Sequence, residues 1–209
     1  FKHENAEMVQ AADGRVVVYM GDDERGEFIY RYVSNGTWAE GQPGGTLLSE
    51  GTLYVAKFND DMTGEWLALT PETTGMTLPE LLVFARIAGS KVGATTMDRP
   101  EWIAAHPARA EAYCALTNNS KRGEENLPVN AANPRAANEY GQIIRWRPEG
   151  GDHGADRFDW DLYVMAGNPA VHKDAYAGSP NVTEGNMFNS PDGMAFDSTG
   201  MLWIQTDGE

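Results

Sequence analysis

Arg99-Pro100-Glu101-Trp102-Ile103-Ala104 begins a short apolar strand, and Tyr113-Cys114-Ala115-Leu116-Thr117 follows after a turn and ends at Asn118. The same plan occurs twice more: an acidic residue, an apolar strand, a turn, then a strand ending in Asp or Asn. Glu4-Asn5-Ala6 leads through Val16-Val17-Val18-Tyr19-Met20 to Asp22. Ser190-Pro191-Asp192-Gly193-Met194-Ala195 leads through Leu202-Trp203-Ile204-Gln205-Thr206 to Asp207. Self-similarity at a long period marks a repeat architecture.

The second halves of the first two units match as well. Gly26-Glu27-Phe28-Ile29-Tyr30 pairs with Gly141-Gln142-Ile143-Ile144-Arg145 as a third strand, and Leu53-Tyr54-Val55-Ala56 with Leu162-Tyr163-Val164-Met165 as a fourth. Four short antiparallel strands per repeat, separated by Gly, Pro, Asn and Asp turns, predict an all-β chain of β-propeller blades. The units fall at about 1–70, 98–167 and 190–209 of one partial propeller domain spanning 1–209. Apolar spacing from Leu78 to Gly89 predicts a helical insertion between blades. The polar stretch from Asn118 to Glu139 has no periodicity and reads as a long loop. Because the third unit stops after its second strand, the chain is expected to cover about two and a half blades. Residues outside the given sequence would then be needed to close the ring. A jelly roll or open sandwich would explain the strands, but not the matched acids.

The 209 residues are enough for one sizeable core or two small ones, and 41% are apolar. The charge is unusual: 16 Lys and Arg against 31 Asp and Glu, a net charge of −15. That balance disfavours a nucleic-acid partner, whose phosphates need a surplus of cations. It suits hard cations such as Ca²⁺, or a solvated acidic surface serving solubility. Cys114 is alone, so neither an internal disulfide nor a thiolate cluster is available. No run of 18 apolar residues exists to insert into a bilayer. The opening Phe1-Lys2-His3-Glu4-Asn5 contains neither an initiator Met nor a signal peptide and reads as the run into a strand.

In a propeller the first strand of each blade lines the central tunnel, so Glu4, Glu101 and Asp192 are expected to converge near the axis. Carboxylates brought close raise one another's pKa unless cations neutralise them, which makes the three candidate metal ligands. Pro-Asp-Gly is also a plain turn, an alternative that fits Asp192 better than Glu4 or Glu101. Arg99 lies two residues before Glu101, so both side chains leave one face of an extended strand. It is suited to a bidentate grip on phosphate or carboxylate, or forms a simple ion pair. Asp22, Asn118 and Asp207 are expected to serve turns or caps. Asp159 and Asp161 alternate with Phe158 and Trp160 and are expected to be solvated. His3 is a possible ligand or a partner of one, whereas His106, His153 and His172 fall in turns and loops. No HExxH, GxSxG or P-loop pattern is present.

Several stretches together resemble the PhoX-type alkaline phosphatases. They are Phe-Lys-His-Glu-Asn-Ala (1–6), Gly-Thr-Leu-Tyr-Val-Ala-Lys-Phe (51–58), Met-Asp-Arg-Pro-Glu-Trp (97–102), Phe-Asp-Trp-Asp-Leu-Tyr-Val (158–164), Ser-Pro-Asp-Gly-Met-Ala-Phe-Asp (190–197) and Leu-Trp-Ile-Gln-Thr-Asp-Gly (202–208). The resemblance implies a six-bladed propeller with Ca²⁺ and Fe³⁺ in its tunnel. The implied activity is hydrolysis of small phosphate monoesters. It also implies export of the folded protein by the twin-arginine route, hence a periplasmic or secreted location. It assigns Glu4, Glu101 and Asp192 to the metal cluster and Arg99 to phosphate binding, with Glu101 in the catalytic machinery. The family's iron-ligating cysteine belongs to an earlier segment, and Cys114 does not match it. Two other readings remain open: a lactonase-like propeller hydrolase using one Ca²⁺, and a non-catalytic binding propeller with structural Ca²⁺.

Overall fold

The computed structural model describes residues 1–41 and 43–208. In chain order its elements are β1 (Ala6–Gln10), β2 (Arg15–Gly21), β3 (Ile29–Thr37), β4 (Gly51–Phe58), β5 (Thr63–Ala68), α1 (Pro71–Thr74), α2 (Leu78–Val83), α3 (Ala85–Val92), β6 (Pro100–Ala105), β7 (Ala112–Leu116), β8 (Gln142–Pro148), β9 (Arg157–Met165), β10 (Pro191–Phe196) and β11 (Leu202–Thr206). β1 to β4 and β6 to β9 are two antiparallel meanders, and β10 with β11 forms a third hairpin. The chain is thus all-β, with two four-stranded blades and a third hairpin.

The strand β5 was not expected. It pairs with β4 along one edge and with β9 along the other, through Thr63↔Asp159 and Gly64↔Phe158. The two meanders thereby join into one nine-stranded sheet. Gly64 permits the crossing, because a Cβ there would lie 2.1 Å from the Phe158 ring. The Trp160 indole N–H seals it by donating to the Thr63 carbonyl at 2.8 Å.

The expected helix over 78–89 is two short ones, broken at Phe84, whose φ −114°, ψ 44° is not helical. Thr77 starts the first of them: its backbone N–H and hydroxyl both donate to the Glu80 carboxylate, at 2.8 and 2.7 Å. Arg86 on α3 grips Asp22 bidentately at 2.8 and 2.7 Å, tying the insertion to the end of β2.

Alternation of side chains across the strands builds a layered molecule. On β7, Ala112, Cys114 and Leu116 face the first meander, whereas Tyr113 and Ala115 face the third hairpin with Met194. Both faces being buried, β7 reads as a continuous apolar run. The first meander is covered on its far side by helices, with Phe28, Tyr30 and Val55 against Leu81, Ala85 and Ala88. Between the meanders, Tyr19 packs edge-on against Trp146 (centroids 5.2 Å apart) and lies 5.6 Å from Trp66. Trp146 is 0% exposed, so truncating it removes contacts from both meanders. Trp146→Ala in the whole protein is expected to cost about 3–5 kcal/mol, read as a lowered midpoint in denaturant unfolding.

Candidate active site

Three backbone hydrogen bonds put the repeats in register at one mouth of the stack. The N–H groups of Asp23, Thr117 and Asp207 donate to the carbonyls of Lys2, Arg99 and Ser190. Glu4, Glu101 and Asp192 each follow two residues later, and so occupy equivalent positions. In the second and third units the register slips between Pro100 and Ile103 and between Pro191 and Met194. Such bulges re-aim side chains at the ends of strands. The residue ahead of each is left-handed although it is not glycine: Arg99 has φ 54° and Ser190 φ 46°.

Glu101, 4% exposed, is the centre of the cluster. It shares a side-chain hydrogen bond with Asp192 from the third hairpin. Burial is the main cause that pushes the Glu101 carboxyl up to about 9, and Asp192 and Asp23 add to it. Arg99 opposes this shift, with Nη2 donating to Glu101 Oε1 at 3.1 Å. The same nitrogen donates to Asp23 Oδ2 at 2.9 Å, and Nε lies 2.8 Å from Asp23 Oδ1. Nη1 donates to Asn118 Oδ1 at 3.3 Å, and the Asn118 amide donates to Ser190 Oγ at 3.2 Å. One guanidinium thus bridges the first two repeats and reaches the third through Asn118. The geometry suits an anion with several oxygens, which would take over the guanidinium donors, and a cation that would relieve the paired carboxyls.

Backbone packing sets this arrangement. A Cβ on Gly21 would lie 2.3 Å from the Pro100 carbonyl oxygen, so only glycine lets β2 pass so near the bulge. Asn5 adds a rung across the blades, exchanging hydrogen bonds with the Ile103 backbone at 2.7 and 2.9 Å. Glu4 itself is exposed. Among the described residues, no group of three or more His, Cys, Asp or Glu side chains is positioned to hold a metal ion. The structure thus brings Glu101, Asp192 and Arg99 together and leaves Glu4 at the rim. His3 stacks on Phe1 at 4.5 Å, and its Nδ1 donates to the Gly21 carbonyl at 2.8 Å. Cys114 is buried mid-strand, and burial pushes its thiol well above the ordinary range.

Asp23 is the acid that sequence comparison overlooked in favour of its neighbour Asp22. Strand parity could have found it: Val17, Tyr19 and Gly21 face the second meander, and Asp23 continues that face. Asp22 falls on the other side, against Arg86 and the Lys2 backbone N–H. Asp161 also departs from expectation, since it is not merely solvated. It accepts from Arg145 at 3.0 and 2.6 Å and from Arg147 at 3.0 Å.

A family model described as alkaline phosphatase PhoX matches residues 1–209. The chain belongs to the PhoX alkaline phosphatase family. A solved structure, Pseudomonas fluorescens PhoX in complex with vanadate, a transition state analogue, is 50% identical with a TM-score of 0.95. The alignment covers 100% of this chain and 39% of that PhoX chain. No curated protein matches. Among the described residues, no helix is long and apolar enough to cross a membrane.

Unfolded, Glu101 would titrate near 4.5; folded and metal-free it holds its proton to about 9. Between those values the folded state binds the extra proton, so its stability falls as pH rises. Thermal unfolding of the metal-free whole protein is expected to show that decline, and Glu101→Gln to flatten it.

Proposed function

We propose that these residues form the phosphate-gripping wall of a metal-dependent phosphatase that hydrolyses phosphate monoesters. The observation that carries this reading is the Arg99 guanidinium held beside the Glu101–Asp192 carboxyl pair, within a chain of the PhoX family. The 39% coverage of the PhoX relative means that the activity is proposed for the whole protein.

The donor set fits a cation. A buried carboxyl and the half-buried one it shares a proton with become ligands once positive charge is present, and their oxygens suit hard ions. Ca²⁺ and Fe³⁺ are the ions proposed, with Glu101 and Asp192 as ligands and Glu4 as a third on the strength of its equivalent register. When bound, such ions supply Lewis-acid polarisation of the phosphoryl group and activation of water.

Arg99 exchanges its bonds to Asp23 and Glu101 for two phosphoryl oxygens of the substrate, a planar fork matched to a tetrahedral anion. Asn118 holds Nη1 from behind, so the guanidinium is oriented before substrate arrives. That preorganisation favours the charge distribution of the transition state. Burial works against the charge on Arg99, and the Asp23 hydrogen bond and charge, together with Glu101 and Glu24, more than offset that effect. Export of the folded protein to the periplasm or beyond belongs to the same proposal, and cell fractionation checks it.

The whole protein loaded with Ca²⁺ and iron is expected to hydrolyse p-nitrophenyl phosphate. Arg99→Ala should lower kcat/KM by about 100- to 1,000-fold. Absence of hydrolysis by the loaded protein, or an Arg99→Ala variant with full activity, would overturn the reading. Elemental analysis is expected to find iron as well as calcium in stoichiometric amounts.

A further inference from the structure

The polar stretch from Asn118 to Glu139, expected to be an ordinary loop, sends five side chains inward. Asn119, Arg122, Asn133, Arg135 and Asn138 are all buried. Four of them meet at Asp98, the residue immediately before Arg99. Asp98 is 0% exposed, and its Oδ1 accepts from Arg122 Nε at 2.7 Å and Asn119 Nδ2 at 2.9 Å. Its Oδ2 accepts from Asn138 Nδ2 at 2.9 Å, and its backbone N–H donates to Asn133 Oδ1 at 3.0 Å. Arg122 spends its remaining donors on the Thr96 hydroxyl and carbonyl and the Pro128 carbonyl, at 3.0–3.1 Å.

An ion pair with both partners out of water is an expensive way to hold a loop, and hydrophobic side chains of similar size often do as well. What it supplies is a fixed geometry. The repeats show that the blade fold itself does not require it. In register, the position of Asp98 is held by Phe1 in the first unit and Asn189 in the third, neither of which carries a carboxylate. The buried carboxylate occurs only in the unit whose next residue is Arg99, with its left-handed backbone. An antiparallel bridge to Arg25 ties the same residue to the first meander, close to Asp23.

We infer that Asp98 is a positioning residue for the phosphate-binding arginine: its buried hydrogen bonds fix the peptide leading into Arg99 and so aim the guanidinium at the Glu101–Asp192 pair. The inference rests on the proposed phosphate-binding role of Arg99. Asp98 touches no substrate and acts only through its neighbour, which separates it from a catalytic group.

The test uses the whole, metal-loaded protein, with Asp98→Asn, Arg99→Ala and the double variant. Asp98→Asn keeps the shape and removes the charge. It is expected to weaken inorganic phosphate binding, measured by titration calorimetry, on the order of tenfold. KM for p-nitrophenyl phosphate should rise to match, with a smaller change in kcat. The double variant should bind phosphate no more weakly than Arg99→Ala alone, because both changes remove one interaction. Should Asp98→Asn fail to fold, Arg122→Lys keeps a cation but loses the fork and is expected to shift phosphate affinity in the same direction. Unaltered phosphate affinity in Asp98→Asn, or in Arg122→Lys where that stands in, would overturn the inference, as would losses that multiply in the double variant. A wild-type protein that binds phosphate but does not hydrolyse the ester overturns the proposed function and leaves this measurement decisive.

Discussion

The packing of one blade face against the next, through Tyr19, Trp66 and Trp146, is the contact on which the other features depend. These rings are buried from both sides, and their mutual fit sets how β2 lies against β6. That spacing lets the Gly21 backbone meet the Pro100 carbonyl, and the same approach carries Asp23 to Arg99. The third hairpin, packed on Tyr113 and Ala115, brings Asp192 to Glu101 by the same logic. A chemical site made from three separate strand beginnings exists because apolar faces stack in sequence order.

Electrostatics then decides what such a site can do. Three acids and one arginine crowd into a region largely withdrawn from water, where like charges are costly to ionise together. Arg99 can satisfy only part of that charge, and the proton held by Glu101 is the remaining compensation. Groups poised in this way respond to cations and anions at once, which is the requirement for gripping a phosphate ester between metal ions and a guanidinium. The net charge of −15 is spread widely over the surface and carries none of this specificity.

Much of the architecture was legible because antiparallel strands advertise themselves by period and by turn residues. The match of Arg99–Ala104 with Ser190–Ala195 extends to the bulge and to the left-handed residue ahead of it. Polar side chains were harder to read. Asn119, Arg122, Asn133 and Asn138 look like loop residues, yet they are buried around Asp98, 21 to 40 positions away along the chain. No periodicity reports a buried polar network, because its logic is satisfied hydrogen bonding rather than hydropathy. β5 was missed for a related reason: its partner β9 lies far along the chain, and only Gly64 hints at the close crossing.

The amino-acid sequence by itself determined the repeat, the strand order within each meander, and the equivalence of Glu4, Glu101 and Asp192, since these follow from local alternation and turn chemistry. It also placed Arg99 beside Glu101, and the two share a 3.1 Å hydrogen bond, although Arg99 sits ahead of β6 in a left-handed conformation rather than on an extended strand face. Tertiary structure alone decided which acid meets the arginine. Asp22 and Asp23 are neighbours in sequence but leave opposite faces of a strand, one toward Arg86 and one toward Arg99. Glu101 meets Asp192 as the repeat leads one to expect, but tertiary structure alone left Glu4 exposed at the rim. The reason is that distances between blades are set by how large side chains pack, a property of the assembled core that no single stretch of chain contains.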